Sequence, residues 1–185
     1  EVKMIAYKGF NRDLACTMGK GTFRYEPGKW YREDKAHCAK DGFHATDNPL
    51  DVLVYYDKPG DRYFIVELRG NIDEDGYNSR ISAPEIRLRR EITKDQLYKE
   101  GVIWMAAHPK APLSKVVKSD VGDAFGRGNV IVRGRNPKAR GSKGDNLYIV
   151  KENQLGNIVA IGAFTVGKGK ILPEKYYDVE GRCVK

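Results

Sequence analysis

The sequence predicts an α+β protein, predominantly antiparallel β-sheet with two short helices and a basic glycine-rich insertion. Three observations lead there. Apolar residues alternate with polar ones in short runs along most of the chain. Only two segments carry helix-start signals. A run from Gly126 to Lys143 then breaks the β pattern with six cations, four glycines and no acidic residue. No low-complexity linker separates the halves, so residues 1–185 are expected to form one domain, with the basic segment at about residues 114–145 and a C-terminal hairpin region at about residues 146–185.

Residues 2–8 read as a first strand, and residues 22–25 as a second extended stretch. Glu26, Pro27, Gly28 and Lys29 make a turn, because proline presets the first central position and glycine accepts the positive φ of the second. Trp30 and Tyr31 resume the extended chain. Asp47, Asn48 and Pro49 open a helix: a capping side chain precedes a proline tolerated in the first turn, and Leu50, Leu53 and Val54 share one apolar face. It is expected to run to about Tyr56. Residues 62–69, RYFIVELR, place Phe64, Val66 and Leu68 on the face read as buried and Tyr63, Ile65 and Glu67 on the other.

Residues 83–92 continue the alternation. Thr93 and Gln96 form a capping box that starts the second helix, which Gly101 is expected to weaken; Trp104 within it reads as core, and His108 before Pro109 as its end. Residues 146–151 and 158–166 make a hairpin about the turn at residues 153–157. Tyr176 and Tyr177 form a last short strand turned at Gly181 into Cys183 and Val184.

Composition bounds the function. The chain has 33 Lys and Arg against 25 Asp and Glu, a net charge of +8, and a mean hydropathy of −0.59. No apolar run approaches the roughly 20 residues that span a bilayer. Residues 1–10 show no hydrophobic signal core, so the expected location is the cytoplasm. Three widely spaced cysteines suit a reducing compartment better than a disulfide framework. Cys16, His37, Cys38 and His44 share one region without the paired spacing that zinc sites use, so no metal is expected.

The basic segment is the candidate site. Arg127, Arg133, Arg135, Lys138, Arg140 and Lys143 supply charge for a phosphate backbone or an acidic protein surface, the glycines allow close backbone approach, and Val130, Ile131 and Val132 can pin the segment to a sheet. Double-stranded DNA, bound without sequence preference, is the expected nucleic-acid partner. No nucleophile elbow, phosphate loop or paired-histidine metal motif occurs, so neither catalytic residues nor a cofactor are expected. Asp73, Glu74, Asp75 and Gly76 lack the downstream glutamate of a calcium loop and read as a polar turn.

Several segments converge on a resemblance. MIAYKGF (residues 4–10), FRYEPGK (residues 23–29) with Tyr31 close behind, Cys38, GFHA (residues 42–45), NPLDVL (residues 48–53) and the Tyr55-Tyr56 pair resemble an uncharacterised domain common in phages and prophages. Gly162-Ala163, KILP (residues 170–173) and Tyr176-Tyr177 are similar to the strand that closes such proteins. Together with the basic face, the chain is similar to anti-CRISPR inhibitors, and that resemblance implies binding to Cas9 or its guide RNA complex, with or without duplex DNA, to block target cleavage. A phage accessory nucleic-acid-binding protein is the neighbouring alternative. Tyr7-Lys8-Gly9, the stretch from Gly42 to Thr46 and the Tyr55-Tyr56 helix end are also loosely similar to the opening of ADP-ribosyltransferase-like folds. Those folds carry Arg or His where Lys8 stands, and Glu67 reads as a solvated or salt-bridged strand residue, not as their catalytic glutamate.

Overall fold

The computed structural model describes residues 3–16, 22–34, 41–74, 76 and 78–185. Among them the protein is α+β and mostly strand. The chain divides into two compact units, Glu1–Leu97 and Tyr98–Lys185. The sequence, read as one domain, marks no boundary there, because the divide falls inside a helix and not in a linker.

The first unit contains β1 (Lys3–Phe10), β2 (Ala15–Cys16), β3 (Phe23–Arg24), β4 (Trp30–Arg32), β5 (Phe43–Thr46), β6 (Arg62–Arg69), β7 (Asp73–Glu74), β8 (Arg80–Ala83) and β9 (Glu85–Ile92). Seven of them form an antiparallel sheet in the order β4-β9-β6-β1-β5-β8-β7, and β2 pairs β3 separately. The pleat of β6 follows its sequence. Phe64, Val66 and Leu68 are buried with Ala6 and Phe10 of β1 and Ile86 and Leu88 of β9 in one core. Phe10 meets Phe64 edge-on at 5.6 Å and Tyr25 at 5.1 Å. Residues 83–92 do not make one strand: Pro84 lacks an N–H and separates β8 from β9.

The helix expected after Asn48 forms, wound as a 3-10 helix over Pro49–Val54 and ending two residues short of Tyr56. Asn48 caps it, its side chain accepting from the Leu50 N–H at 3.1 Å. The tighter winding buries Val52 beside Leu50 and Leu53 and leaves Val54 exposed. The capping box forms as the sequence implies: the Gln96 N–H donates to Thr93 Oγ1 at 3.1 Å, and the Thr93 N–H to Gln96 Oε1 at 2.8 Å. The helix α1 (Lys94–Ala107) runs through Gly101 without a break. Trp104 is half-buried and stacked on His108 at 4.4 Å, not sealed in core, because one turn separates the two rings at the helix end.

The second unit contains β10 (Lys118–Asp123), β11 (Asn129–Arg140), β12 (Asn146–Glu152), β13 (Ile158–Thr165), β14 (Tyr176–Tyr177) and β15 (Cys183–Val184). The sheet is mixed. The expected hairpin joins β12 to β13, while β11 runs parallel to both β10 and β12 and meets β14 antiparallel. Most of the basic run from Gly126 to Lys143 is thus the central strand of this sheet, with Ile131 and Val132 fully buried. Gly134 there serves packing: a Cβ would lie 2.0 Å from Asp120 Oδ1. Pairing with β10 jumps from Ser119↔Arg133 to Val121↔Lys138, so residues 134–137 bow outward opposite Asp120.

Phe64→Asp tests the assignment of the first core. It puts an unpaired carboxylate at a position 2% exposed and is expected to remove at least about 4 kcal/mol, enough to unfold the first unit. Denaturant titration followed by circular dichroism reads it, and a wild-type midpoint would refute the core assignment.

Candidate polyanion-binding surface

Charge is divided unevenly between the units. Tyr98–Lys185 holds 16 of the 33 Lys and Arg but only 8 of the 25 Asp and Glu. The whole +8 excess therefore belongs to the second unit, and Glu1–Leu97 is balanced with 17 of each sign.

Asp145 builds the surface on which much of this charge sits. It is 3% exposed, and its carboxylate accepts the backbone N–H groups of Gly126 and Ser142 at Oδ2 and of Gly128 at Oδ1, each at 2.9 Å. One buried anion thereby ties the turn before β11 to the turn after it. A third turn joins them, since the Gly144 N–H donates to the Val166 carbonyl and a Cβ on Gly167 would lie 3.0 Å from Lys143 Cγ. Arg127, Lys143, Lys168 and Lys170 are all exposed on these three turns.

Phe125 stands on the first of them. It is 68% exposed with φ of 51°, a left-handed conformation that costs a non-glycine residue about 1 kcal/mol. Arg127 lies over its ring at 5.8 Å. This turn therefore presents an exposed, strained aromatic beneath an exposed guanidinium.

The six cations singled out from the sequence go to different places. Arg127 and Lys143 reach the turn surface, and Arg135 is exposed on the bow of β11; none of the three has an ion-pair partner among the described residues. Lys138 and Arg140 project from one face of β11 onto Tyr176, 5.0 and 4.8 Å from its ring centre. Lys138 also donates to the Lys185 carbonyl, and Arg140 to Asp123, a bond that holds the guanidinium more firmly protonated. Arg133 leaves the set. It is 5% exposed and bonded to Glu152 at 2.8 Å and to the carbonyls of Pro109 and Gly156, in a stretch of β11 where Val132 and Gly134 are buried as well. Phe125 and Asp145 were not legible as site residues; only the positive φ of one and the three bonds of the other mark them.

In the first unit several charges meet on one carboxylate. Glu67 is buried and accepts from Arg87 Nη2 and Arg89 Nη1 at 2.6 Å and from Arg69 Nη2 at 3.3 Å; it is salt-bridged, not solvated. The bonds from Arg87 and then Arg89 hold its pKa down to about 2. Lys8 is buried on the opposite face, its ammonium donating to the His44 carbonyl and lying 5.5 Å from the Phe10 ring centre. The β1-β6 register sets Lys8 beside Phe64 and Ile5 beside Glu67, so Lys8 and Glu67 share no cleft. An open groove of about 510 Å³ lies over the start of α1, where Arg62 grips Glu91 at 2.6 and 2.7 Å and Lys94 pairs with Asp57. His37 and Cys38, and the side chain of Cys16, fall outside the described residues, as does Asp75.

Residues 4–100 match the model of a family described as Domain of unknown function (DUF7666), and the chain belongs to that family. No curated protein and no solved structure matches it. The turn surface and all six sequence-derived cations lie beyond the matched residues.

Two pairs of measurements check this partition. Arg133→Ala is expected to lower stability by about 3 kcal/mol, because a buried pair is broken, while Arg135→Ala stays within about 0.5 kcal/mol of wild type; equal midpoints would refute it. For Glu67 the folded pKa lies below the ordinary 4.5. Its contribution is therefore complete above about pH 4.5 and is lost as pH falls toward about 2. Urea midpoints measured across that window should fall more steeply for wild type than for Glu67→Gln.

Proposed function

We propose that this protein binds the phosphate backbone of double-stranded DNA without sequence preference, through the turn surface and the exposed cations of its second unit. The observation that carries the reading is the confinement of the entire +8 excess to Tyr98–Lys185. Cations that are exposed and unpaired release counterions when they meet phosphates, and this gives affinity without base recognition. Arg127, Lys143 and Arg135 carry that term, and Lys138 and Arg140 extend it past Tyr176. Phe125 supplies an apolar tip of the kind that wedges against base steps.

In this reading the protein acts without turnover and without a cofactor, as a phage-type inhibitor of the anti-CRISPR kind. It holds duplex DNA and a Cas9 complex in a state that does not cleave, inside the host cytoplasm. A cationic surface can address the nucleic acid of such a complex and its acidic protein patches by the same electrostatics.

Fluorescence anisotropy with an unrelated-sequence duplex tests the binding. Wild type is expected to weaken steeply with salt, and the Arg127→Ala, Arg135→Ala, Lys143→Ala triple variant to bind less tightly with a slope shallower by about 3. Phe125→Gly should remain folded, being relieved of its backbone strain, and bind more weakly. Salt-independent wild-type binding would sink the proposal. Cleavage of a matched duplex by Cas9, titrated with the protein, should stop near one protein per Cas9 and persist with the triple variant; inhibition far below that ratio would mean catalytic modification instead.

A further inference from the structure

The first unit is neutral overall, yet one face of its sheet carries a concentrated positive site. Arg69 of β6 and Arg87 and Arg89 of β9 converge on the single carboxylate of Glu67. Three guanidiniums against one buried anion leave a local charge of +2. Each guanidinium offers five N–H donors in a planar fork, and Glu67 occupies one nitrogen of each. The Nε atoms of Arg69 and Arg87 are buried and have no hydrogen-bond partner among the described residues.

Position and rigidity complete the site. Glu67 lies beneath the arginines at 5% side-chain exposure, while Arg87 and Arg89 reach solvent at 29% and 49%. The negative charge is thus hidden and the positive charge presented. Trp30, paired with Arg87 across β4 and β9, holds the Arg69 guanidinium 3.9 Å and the Arg87 guanidinium 4.9 Å from its ring centre, so two of the three forks are fixed before any ligand arrives. Glu85, opposite Arg69 in the register of β6 and β9, is ion-paired with Arg32 at 3.5 Å. Such a network is more than strand pairing requires: one arginine would neutralise Glu67, and the second and third bring uncompensated charge to one place at a cost in self-repulsion.

We propose that Arg69, Arg87 and Arg89, seated on Glu67 and backed by Trp30, form a binding site for the phosphate dianion of a small phosphomonoester. Charge decides the class. A monoester carries close to two negative charges at neutral pH and cancels the local excess, whereas each diester of a nucleic-acid backbone carries one. Arginine forks also match phosphate oxygens in pairs. None of these residues belongs to the surface proposed for DNA in the second unit, and the inference does not depend on that proposal.

Isothermal titration of the full chain with inorganic phosphate, a nucleoside 5′-monophosphate and the corresponding 3′,5′-cyclic diester tests the inference. Inorganic phosphate and the monophosphate are expected to bind at one site per chain, and the cyclic diester about tenfold or more weaker. Tighter binding of the monophosphate than of phosphate would assign the remaining contacts to its nucleoside; equal binding would assign recognition to the phosphate alone. Arg89→Gln, at a half-exposed position, should keep the fold and lose about tenfold in affinity for the monoester, as should Arg87→Gln if it folds. The triple variant of the second unit should bind the monoester as wild type does. Absence of phosphate binding at millimolar concentration, wild-type affinity in Arg89→Gln, or equal binding of the cyclic diester would each overturn the proposal.

Discussion

A guanidinium placed on a paired strand must either meet an anion beneath the surface or turn to water, because leaving it buried and unpaired costs several kcal/mol. Both units are arranged around that constraint. In the first, Glu67 sits in the sheet and draws Arg69, Arg87 and Arg89 together; in the second, Arg133 is neutralised by Glu152 and Arg140 by Asp123. The pairing sites fix which cations are structural. Of the six cations in the run from Gly126 to Lys143, Arg127, Arg135 and Lys143 remain outside them, exposed and without an ion-pair partner among the described residues.

Buried anions also shape the backbone. Asp145 accepts three N–H groups from two turns, and in doing so sets the start of β11 beside the turn that follows its end. A strand of this length can return to its own beginning only by bending, and the bow at residues 134–137 is where it does so. Arg135 is exposed because it rides on that bend, two residues from the buried Arg133. Phe125 stands on the turn that Asp145 closes, and its left-handed backbone N–H donates to Asp123 Oδ1 at 2.8 Å.

The two units therefore present cations in different ways. The second unit spreads exposed charges without ion-pair partners over its turns and the bow of β11 and sets the bonded Lys138 and Arg140 on one strand face, an arrangement that would suit a long polyanion with repeated phosphates. The first unit gathers three arginines on one carboxylate and stacks two of them on Trp30, an arrangement suited to a single compact dianion. Electrostatic attraction is common to both; the spacing and rigidity of the donors separate the ligands they fit.

Local order was legible in the sequence where one rule acts alone. The period-two pattern of β6, the turn at Pro27 and Gly28 with φ of 83° at the glycine, the capping box at Thr93 and the hairpin of β12 and β13 need only near neighbours, and each was readable from them. The 3-10 winding after Asn48 and the break at Pro84 were missed because tertiary packing and strand pairing chose between local alternatives. The glycines and proline of the basic segment read as loop signals, yet Gly134 is a packing glycine against Asp120 and Pro137 lies on a bend. Cation count and sign were fixed by composition alone. Which cation is buried depended on the register of β11 against β10 and β12, a long-range property that shifts every side chain to the other face with a slip of one residue, and only the tertiary structure decided it.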